Sequence, residues 1–500
     1  SNDFSTTSIF PMEISNLDEV QIIIECEPLS TGYIQEQMEF NSSDAFIDEL
    51  TLQLSATGAE GAILSGYLQD SEVIEALDYQ VSGDLIIDVG STVTIRPGAK
   101  LFFDGDTKLI VNGTLKALGT EMDNIIFTNG EDSQNCSDCL DTGNNNCDSQ
   151  CSSVRWTGIS LNSVTNETIF EHVRISGAYK CGGATCGSGG DFGAGIYMIG
   201  ASPIFRHSVI SNNSVNGRGG GIAIMSSDPI FQNVIISGNS AQVFGGGLML
   251  EANSDPTFIN CIIADNYTYN SSDNASPGVF MGGGSNITFI NTIVWHNYRM
   301  GGGNYNWTPD KQIFSYPSEF NASNSFLGAV YQNGAGEISL IGEGNIVDGD
   351  PLFTNYNEMG HQTYSGDYSL RWDNYPNEDE TKSPCIDTGT IDLSIAGLDN
   401  IEDYYGLAPD IGVFEYYPLE IGGCMDTSAC NYNGNANIDD GSCNFAQQHY
   451  DCSGNCTINT DCLGECGGSA IIDNCGTCDS DSSNDCVQDC ANVWGGDAEI

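Results

Sequence analysis

Apolar residues recur along the middle of the chain at a period far longer than that of a helix or a single strand. Three stretches align directly: Gly195-Ile-Tyr-Met with Pro203-Ile-Phe205, Gly221-Ile-Ala-Ile with Pro229-Ile-Phe231, and Gly247-Leu-Met-Leu with Pro256-Thr-Phe258. The three Phe stand 26 and 27 residues apart, and a weaker copy places Phe289 another 31 on. Within each copy, short apolar runs are separated by Gly, Pro and Asn, which is strand-and-turn punctuation. Such a period fits one coil of three short strands and three turns, at roughly 3.3 Å per strand residue. One coil cannot bury its own apolar face, so coils must stack. The pattern therefore predicts an all-β chain built around a parallel β-helix over residues 79–375, with about ten coils.

Eight residues after each Phe stands an Asn: Asn213, Asn239, Asn266 and Asn297. Two residues after each stands His207, Asn233, Asn260 or Asn291. Stacked in register, Asn side chains at turns can satisfy backbone groups that leave the ladder, so a structural Asn ladder is expected.

Upstream, residues 1–60 alternate as strands, at Val20–Ile24, Tyr33–Phe40 and Phe46–Leu54. Residues 61–78 read as a linker with some helical character. The series Phe4…Phe10-Pro11, Val20 to Pro28, Met38-x-Phe40-x-Ser42 and Leu52-x-Leu54-x-Ala56-x-Gly58 resembles the Ig-like repeats of the abnormal-spindle and hydin class. The resemblance implies a partial β-sandwich lacking its first strands, and hence strand edges that a neighbouring copy could fill.

The coils from Leu85-Ile-Ile through Val93-Thr-Ile-Arg-Pro-Gly98, Leu109-Ile-Val-Asn-Gly-Thr-Leu115 and Trp156-x-Gly158-Ile159 resemble the opening of bacterial pectate-lyase-like proteins. That family implies a right-handed parallel β-helix. Asp350-Pro-Leu-Phe353, Tyr368-x-Leu370, Ser383-Pro-Cys-Ile-Asp-Thr-Gly389 and Pro409-Asp-Ile-Gly-Val-Phe-Glu415 resemble the terminal segment of such proteins of the choice-of-anchor type. A closing segment is accordingly expected through 376–420. Leu407 and Ala408 stand where that family usually carries Arg.

Residues 421–500 hold eleven of the chain's 20 Cys. Asp451-Cys-x-Gly-x-Cys456, Cys462-x-Gly-x-Cys-Gly-Gly468, Asp473-x-Cys-Gly-x-Cys478 and Trp494-Gly-Gly-Asp497 look like degenerate copies of one repeat, with the array expected to continue beyond them. This density reads as a disulfide framework formed in an oxidising compartment, which implies an extracellular or cell-surface location. Candidate disulfide residues are Cys424, Cys430, Cys443, Cys452, Cys456, Cys462, Cys466, Cys475, Cys478, Cys486 and Cys490. Two further groups are expected to staple local loops, namely Cys136, Cys139, Cys147 and Cys151, and Cys181 with Cys186. Zinc is the rival reading for the Cys-x-x-Cys pairs at Cys136 and Cys475.

Charge removes whole classes of function. The formal net charge is −55, from 68 acids against 13 bases, and no Lys or Arg follows Lys382. Phosphate binding needs basic side chains, so nucleic acid is excluded as a partner. No run of 18 apolar residues suggests a membrane span. Calcium is the cation expected to screen such a chain. Asp426, Asn431, Asn433, Asn435, Asn437, Asp439 and Asp440 place oxygen-bearing side chains largely at every second residue, as calcium loops do. The alternative is an Asx-rich turn pinned by Cys424 and Cys443.

Catalysis on this fold would need paired carboxylates facing one cleft, or a cation cluster with a basic residue. Arg206, His207, Arg218, Asp228, Asp255, Asp265, His296 and Arg299 do not form paired carboxylates at recurrent coil spacing. The sequence therefore points to a non-catalytic structural or adhesive surface protein that associates with itself, as a fibre, or with other surface proteins. The alternatives are a polysaccharide lyase or hydrolase, or a glycan-binding protein using exposed aromatics such as Tyr267, Tyr269, Trp295 and Trp307.

Overall fold

The computed structural model describes residues 62–129, 156–180, 191–269, 276–300, 312–316, 320–332, 342–347, 349–355, 367–418, 422–434, 436 and 438–499. It also describes the backbone of short strands within 1–61, at 307–309 and at 336–337. The chain divides into two compact units, Ser1–Asp373 with Glu380–Tyr416, and Asn374–Asp379 with Tyr417–Ile500.

The first unit is a parallel β-helix. Each coil passes in chain order through three lanes. Lane A holds Lys100–Phe103, Ile125–Asn129, Val173–Ser176, Val209–Ser211, Ile235–Ser237, Ile262–Ala264, Ile293–Trp295 and Phe326–Leu327. Lane B holds Ala62–Leu68, Asp78–Ile87, Thr107–Val111, Trp156–Asn162, Ile196–Ile199, Ile222–Met225, Leu248–Glu251, Val279–Met281, Ile313–Ser315 and Val330–Gln332. Asp78–Ile87 is long enough to open both lanes, pairing through Val81 with Phe103 and through Leu85 with Leu109. Lane C runs from Val73–Ile74 to Phe320–Ser323 as a nine-stranded sheet. Lane B holds ten strands.

Alternation puts one apolar set inside every coil. The lane C interior is a column of rings, Phe170, Phe205, Phe231, Phe258 and Phe289, with successive centroids 4.5, 5.0, 4.5 and 5.5 Å apart. All five are fully buried. Burial of each ring stabilises by about 2–3 kcal/mol, and the ring spacing is that of hydrogen-bonded strands.

Two expectations are corrected. Residues 61–78 are not a linker: Ala62–Leu68 and Val73–Ile74 pair in parallel with Asp78–Ile87 and Thr92–Ile95, forming the first coil. Leu64, Leu68 and Ile74 turn inward, but the strand pattern is obscured because the apolar Ile63, Tyr67 and Val73 beside them are exposed. The parallel coils also end well before residue 375, because Phe353–Asn355 and Asp367–Leu370 already form an antiparallel pair of the closing segment. From residue 179 onward the coils gain a fourth, short lane between A and B, seen at Tyr179–Lys180, Ser214–Val215, Ser240–Ala241, Tyr267–Thr268 and Tyr298–Met300.

Within 1–61, Phe4–Thr6 pairs with Ile24–Cys26, and Gly32–Asp44 pairs antiparallel with Ile47–Gly58. The rest of the expected Ig-like segment lies outside the described residues.

The tail is held differently. Five disulfides join Cys424–Cys443, Cys430–Cys452, Cys456–Cys466, Cys462–Cys478 and Cys475–Cys486. Cys490, expected to pair, is free and exposed, because no other unpaired cysteine of the described tail remains to meet it. The local unit is an Asp hairpin. Asp451 Oδ1 accepts the N–H groups of Ser453 and Asn455, and Asp461, Asp473 and Asp489 repeat this at the same offsets. The fourth residue of each hairpin is left-handed: Gly454, Gly464, Gly476 and Asn492 have φ of 80°, 85°, 87° and 61°. Such a position favours Gly or Asn. Cys136, Cys139, Cys147, Cys151, Cys181 and Cys186 lie outside the described residues.

Candidate functional site

The corners of the coil carry polar ladders. Asn213, Asn239, Asn266 and Asn297 are fully buried. The Oδ1 of Asn239 accepts both the backbone and side-chain N–H of Asn213 at 3.0 Å, and Asn266 and Asn297 repeat this for their predecessors. Each Nδ2 also donates to a lane A carbonyl, as from Asn239 to Ile210 at 2.9 Å. The column ends on Gln312, whose Oε1 accepts both N–H groups of Asn297. The repeated Gly belongs to the same device: a Cβ on Gly195, Gly221, Gly247 or Gly278 would sit 2.8 or 2.9 Å from the Asn Nδ2 beside it.

A serine ladder at the lane B–C corner runs Ser227, Ser254, Ser285, and another at the C–A corner runs Cys261, Thr292, Ser325. Cys261 acts there as a small buried residue, its thiol pushed up to about 12 by burial. These residues were not singled out from the sequence. Their common position, just before each apolar strand, is the signal that an alignment on Phe would reveal.

A surface feature with both apolar and charged groups lies on the outer side of lane B. Tyr197, Ala223, Met249, Phe280, Phe314 and Tyr331 form its outward column, in register from strand to strand. Beside it, Phe192, Arg218 and Phe244 pair across successive coils. Phe244 stacks on Phe280 at 4.5 Å, and Phe280 on Phe314 at 6.0 Å. The Arg218 guanidinium lies 5.8 Å from the Phe192 ring and 5.3 Å from Phe244, and its Nη1 donates to Glu251 Oε1 at 3.1 Å. Its Nε is buried without a hydrogen-bond partner among the described residues. Lys180 Nζ donates to the Phe192 carbonyl and lies 5.1 Å from the Tyr197 ring centre, and burial holds its amine below the usual lysine range. The Phe192, Tyr197, Phe244, Tyr316 and Tyr331 rings remain partly open to solvent.

The other residues considered from sequence are scattered. Asp228 and Asp255 are exposed at the B–C corner, where their carboxylates cap Asp255 N–H and Asn286 N–H. Arg206 is in lane C and His207 is exposed at the next turn. Asp265 is buried and bonds His296 Nδ1 at 2.7 Å and the Tyr368 hydroxyl at 2.8 Å. His296 also meets the Tyr298 hydroxyl. This cluster fastens the closing segment to the coils. Arg299 pairs with Thr308 in the short lane.

The aromatics expected to be exposed are placed otherwise. Tyr267 is buried, Tyr269 is half-buried edge-on against it, and Trp295 stacks on His296 under Phe353. The short lane and closing segment cover them, which alternation alone does not foretell. The Trp307 side chain lies outside the described residues.

In the tail, Asp426, Asp439 and Asp440 turn their Oδ1 onto the N–H groups of Ser428, Gly441 and Ser442. Asn431 bridges Ser442 and Asn444. A Cβ on Gly423 would meet Asn433, while Asn435 and Asn437 lie outside the described residues. These bonds and the Cys424–Cys443 disulfide shape an Asx-rich turn. Among the described residues, no group of three or more His, Cys, Asp or Glu side chains could hold a metal ion.

Residues 124–313 match the family described as right handed beta helix region. The chain's centre is thus a right-handed parallel β-helix, the class that its three lanes and register define. No curated protein and no solved structure gives a significant match to the chain.

Proposed function

We propose that the protein is a non-catalytic extracellular adhesive rod that binds a neutral glycan along the outer side of lane B. The observation that carries this reading is Arg218. Its guanidinium sits between two aromatic rings, its charge is matched by Glu251, and its buried Nε has no hydrogen-bond acceptor among the described residues. Sugar rings offer C–H faces to aromatic side chains and hydroxyls to such planar donors. A net charge of −55 disfavours an acidic glycan, and the paired Arg218 supplies no surplus positive charge. Five disulfides support an oxidising, extracellular setting.

Affinity electrophoresis of the full chain through a panel of neutral and acidic polysaccharides tests this. Retardation by neutral glycans is expected, weakened about tenfold by Phe244→Ala or Arg218→Met, which corresponds to about 1.4 kcal/mol. Retardation unchanged in both variants, or absent across the panel, overturns the site. Release of reducing ends or unsaturated products overturns the non-catalytic part.

A further inference from the structure

The turn from lane C back to lane A has a fixed conformation and a fixed residue type, with two departures. His172, His207, Asn233, Asn260, Asn291 and Asn324 occupy successive coils of one column with φ between 45° and 55°. Each N–H donates to the carbonyl preceding the equivalent residue of the next coil, as from His172 to Arg206 and from His207 to Gln232. Asn is a residue that this left-handed position favours, and four of the six are Asn. The two exceptions are neighbours. Their imidazoles stack with centroids 4.9 Å apart and planes 10° apart. His207 is exposed and His172 half-buried, so both rings can be reached from solvent.

We propose that His172 and His207 form a surface site for a borderline divalent transition metal such as Cu²⁺, Ni²⁺ or Zn²⁺. Neutral imidazole is a common ligand for these ions. Both rings hang from the same turn on adjacent coils, so their separation is fixed by the strand spacing and costs little entropy to organise. The stacked planes must swing toward one another to share an ion, and the χ2 torsion of His is broad and soft. Glu171 and Glu121 act on the charge at His207 in the direction a dication favours, against the opposing charge of Arg206. The site lies apart from the lane B face and does not depend on glycan binding.

The test is Cu²⁺ titration of the full chain in competition with a chromophoric chelator, with electron paramagnetic resonance of the bound ion. The probes are the wild type, His207→Asn and the double variant His172→Asn, His207→Asn. Asn is already the resident of this turn at Asn233 and Asn260, so the coil is expected to fold, and circular dichroism checks it. The wild type should show a bound ion with nitrogen coordination. His207→Asn should weaken that binding roughly tenfold or more, a loss of about 1.4 kcal/mol per decade. A double variant that keeps wild-type affinity, or a wild-type spectrum without nitrogen coupling, overturns the proposal and leaves carboxylates of the acidic surface as the binders.

Discussion

The coils and the Cys-rich tail solve the same problem by opposite means. In the coils, order comes from repetition: every lane buries the same apolar set, and every corner repeats a polar ladder from one coil to the next. The described cysteines of the coils and closing segment, Cys261 and Cys385, are buried and unpaired. The tail has almost no apolar interior, with Cys424, Ala429, Ala436 and Ala470 its only buried apolar residues among those described. It is fixed by five disulfides and by Asp hairpins that satisfy their own backbone. Stacking thus substitutes for covalent closure where a core exists, and crosslinks substitute for a core where none does.

Reduction should separate the two most sharply. Each tail disulfide closes a loop of 10 to 22 residues. Loops of that size are worth about 2–4 kcal/mol apiece. Dithiothreitol is therefore expected to unfold the tail entirely while the described coils keep their structure. Limited proteolysis with mass mapping reads this: cleavage confined to 424–490 fits, and simultaneous loss of protection over 196–332 would break the comparison.

Next in size is the Asn ladder. Asn239→Ala removes two donors and an acceptor shared by two N–H groups, leaving the Ile210 carbonyl and Asn213 N–H buried without partners. At about 1–3 kcal/mol for each orphaned group, a loss of about 3 kcal/mol or more is expected. Urea unfolding measures it. Gly221→Ala should act in the same direction, since its new Cβ meets the Asn239 amide. If Asn239→Ala costs under about 1 kcal/mol, the corners are not what aligns the coils.

This contrast also explains what could be read in advance. Phe and Asn were legible because each coil uses the same residue at the same place, so the period alone reveals the lane C interior and the ladder. Gln312 was not, because it ends the ladder as a different residue type. The wall on lane B was hidden for a related reason: Tyr197, Ala223, Met249, Phe280 and Phe314 share a position and not an identity. Phe192, Arg218 and Phe244 approach it from a lane whose length varies with the coil. In the tail, Cys spacing drew attention to Cys-Gly-Gly and away from Asp451, Asp461, Asp473 and Asp489, which define the unit. Nothing in a linear pattern tells that Tyr368 reaches Asp265 across 103 residues.

Acid–base behaviour gives the comparison a sign. In the closing segment, burial pushes the Asp410 carboxyl up to about 7, even though it accepts the N–H groups of Asp387 and Tyr416. Glu415 is raised as well, also chiefly by burial. A carboxyl whose folded pKa lies above its unfolded value, about 3.9, favours the fold most when protonated. Its contribution is complete below about pH 4 and is lost as pH rises through about 7. Stability of the β-helix unit should therefore fall over that interval. Asp410→Asn is expected to flatten the slope, though at a lower level, because an amide cannot accept both N–H groups. Urea midpoints at pH 5 and pH 8 check this, and equal slopes in wild type and variant would count against it.

The smallest effect is the tail's, and it runs the other way. The carboxyl of Asp451 is held below the usual range first by its side-chain bond to Asn455, with the backbone N–H of Asn455 adding to it. Asp489 is lowered chiefly by the Val493 N–H, and Asp426, Asp440 and Asp481 by Ser428, Ser442 and Ser483. For each, the ionised form is the one bound, so the contribution is present above the unfolded pKa and lost as pH falls through the folded one. All five lie at the surface, so water screens every bond and the individual effects are slight. Their sum should appear only below about pH 4, as faster amide exchange at Ser453, Asn455, Ala491 and Val493 while all disulfides stay intact. Asp451→Asn should produce the same change at neutral pH at Ser453 and Asn455 alone. Protection at those two amides that survives both acid and the substitution would show that the disulfides hold the hairpins without help from the carboxylates.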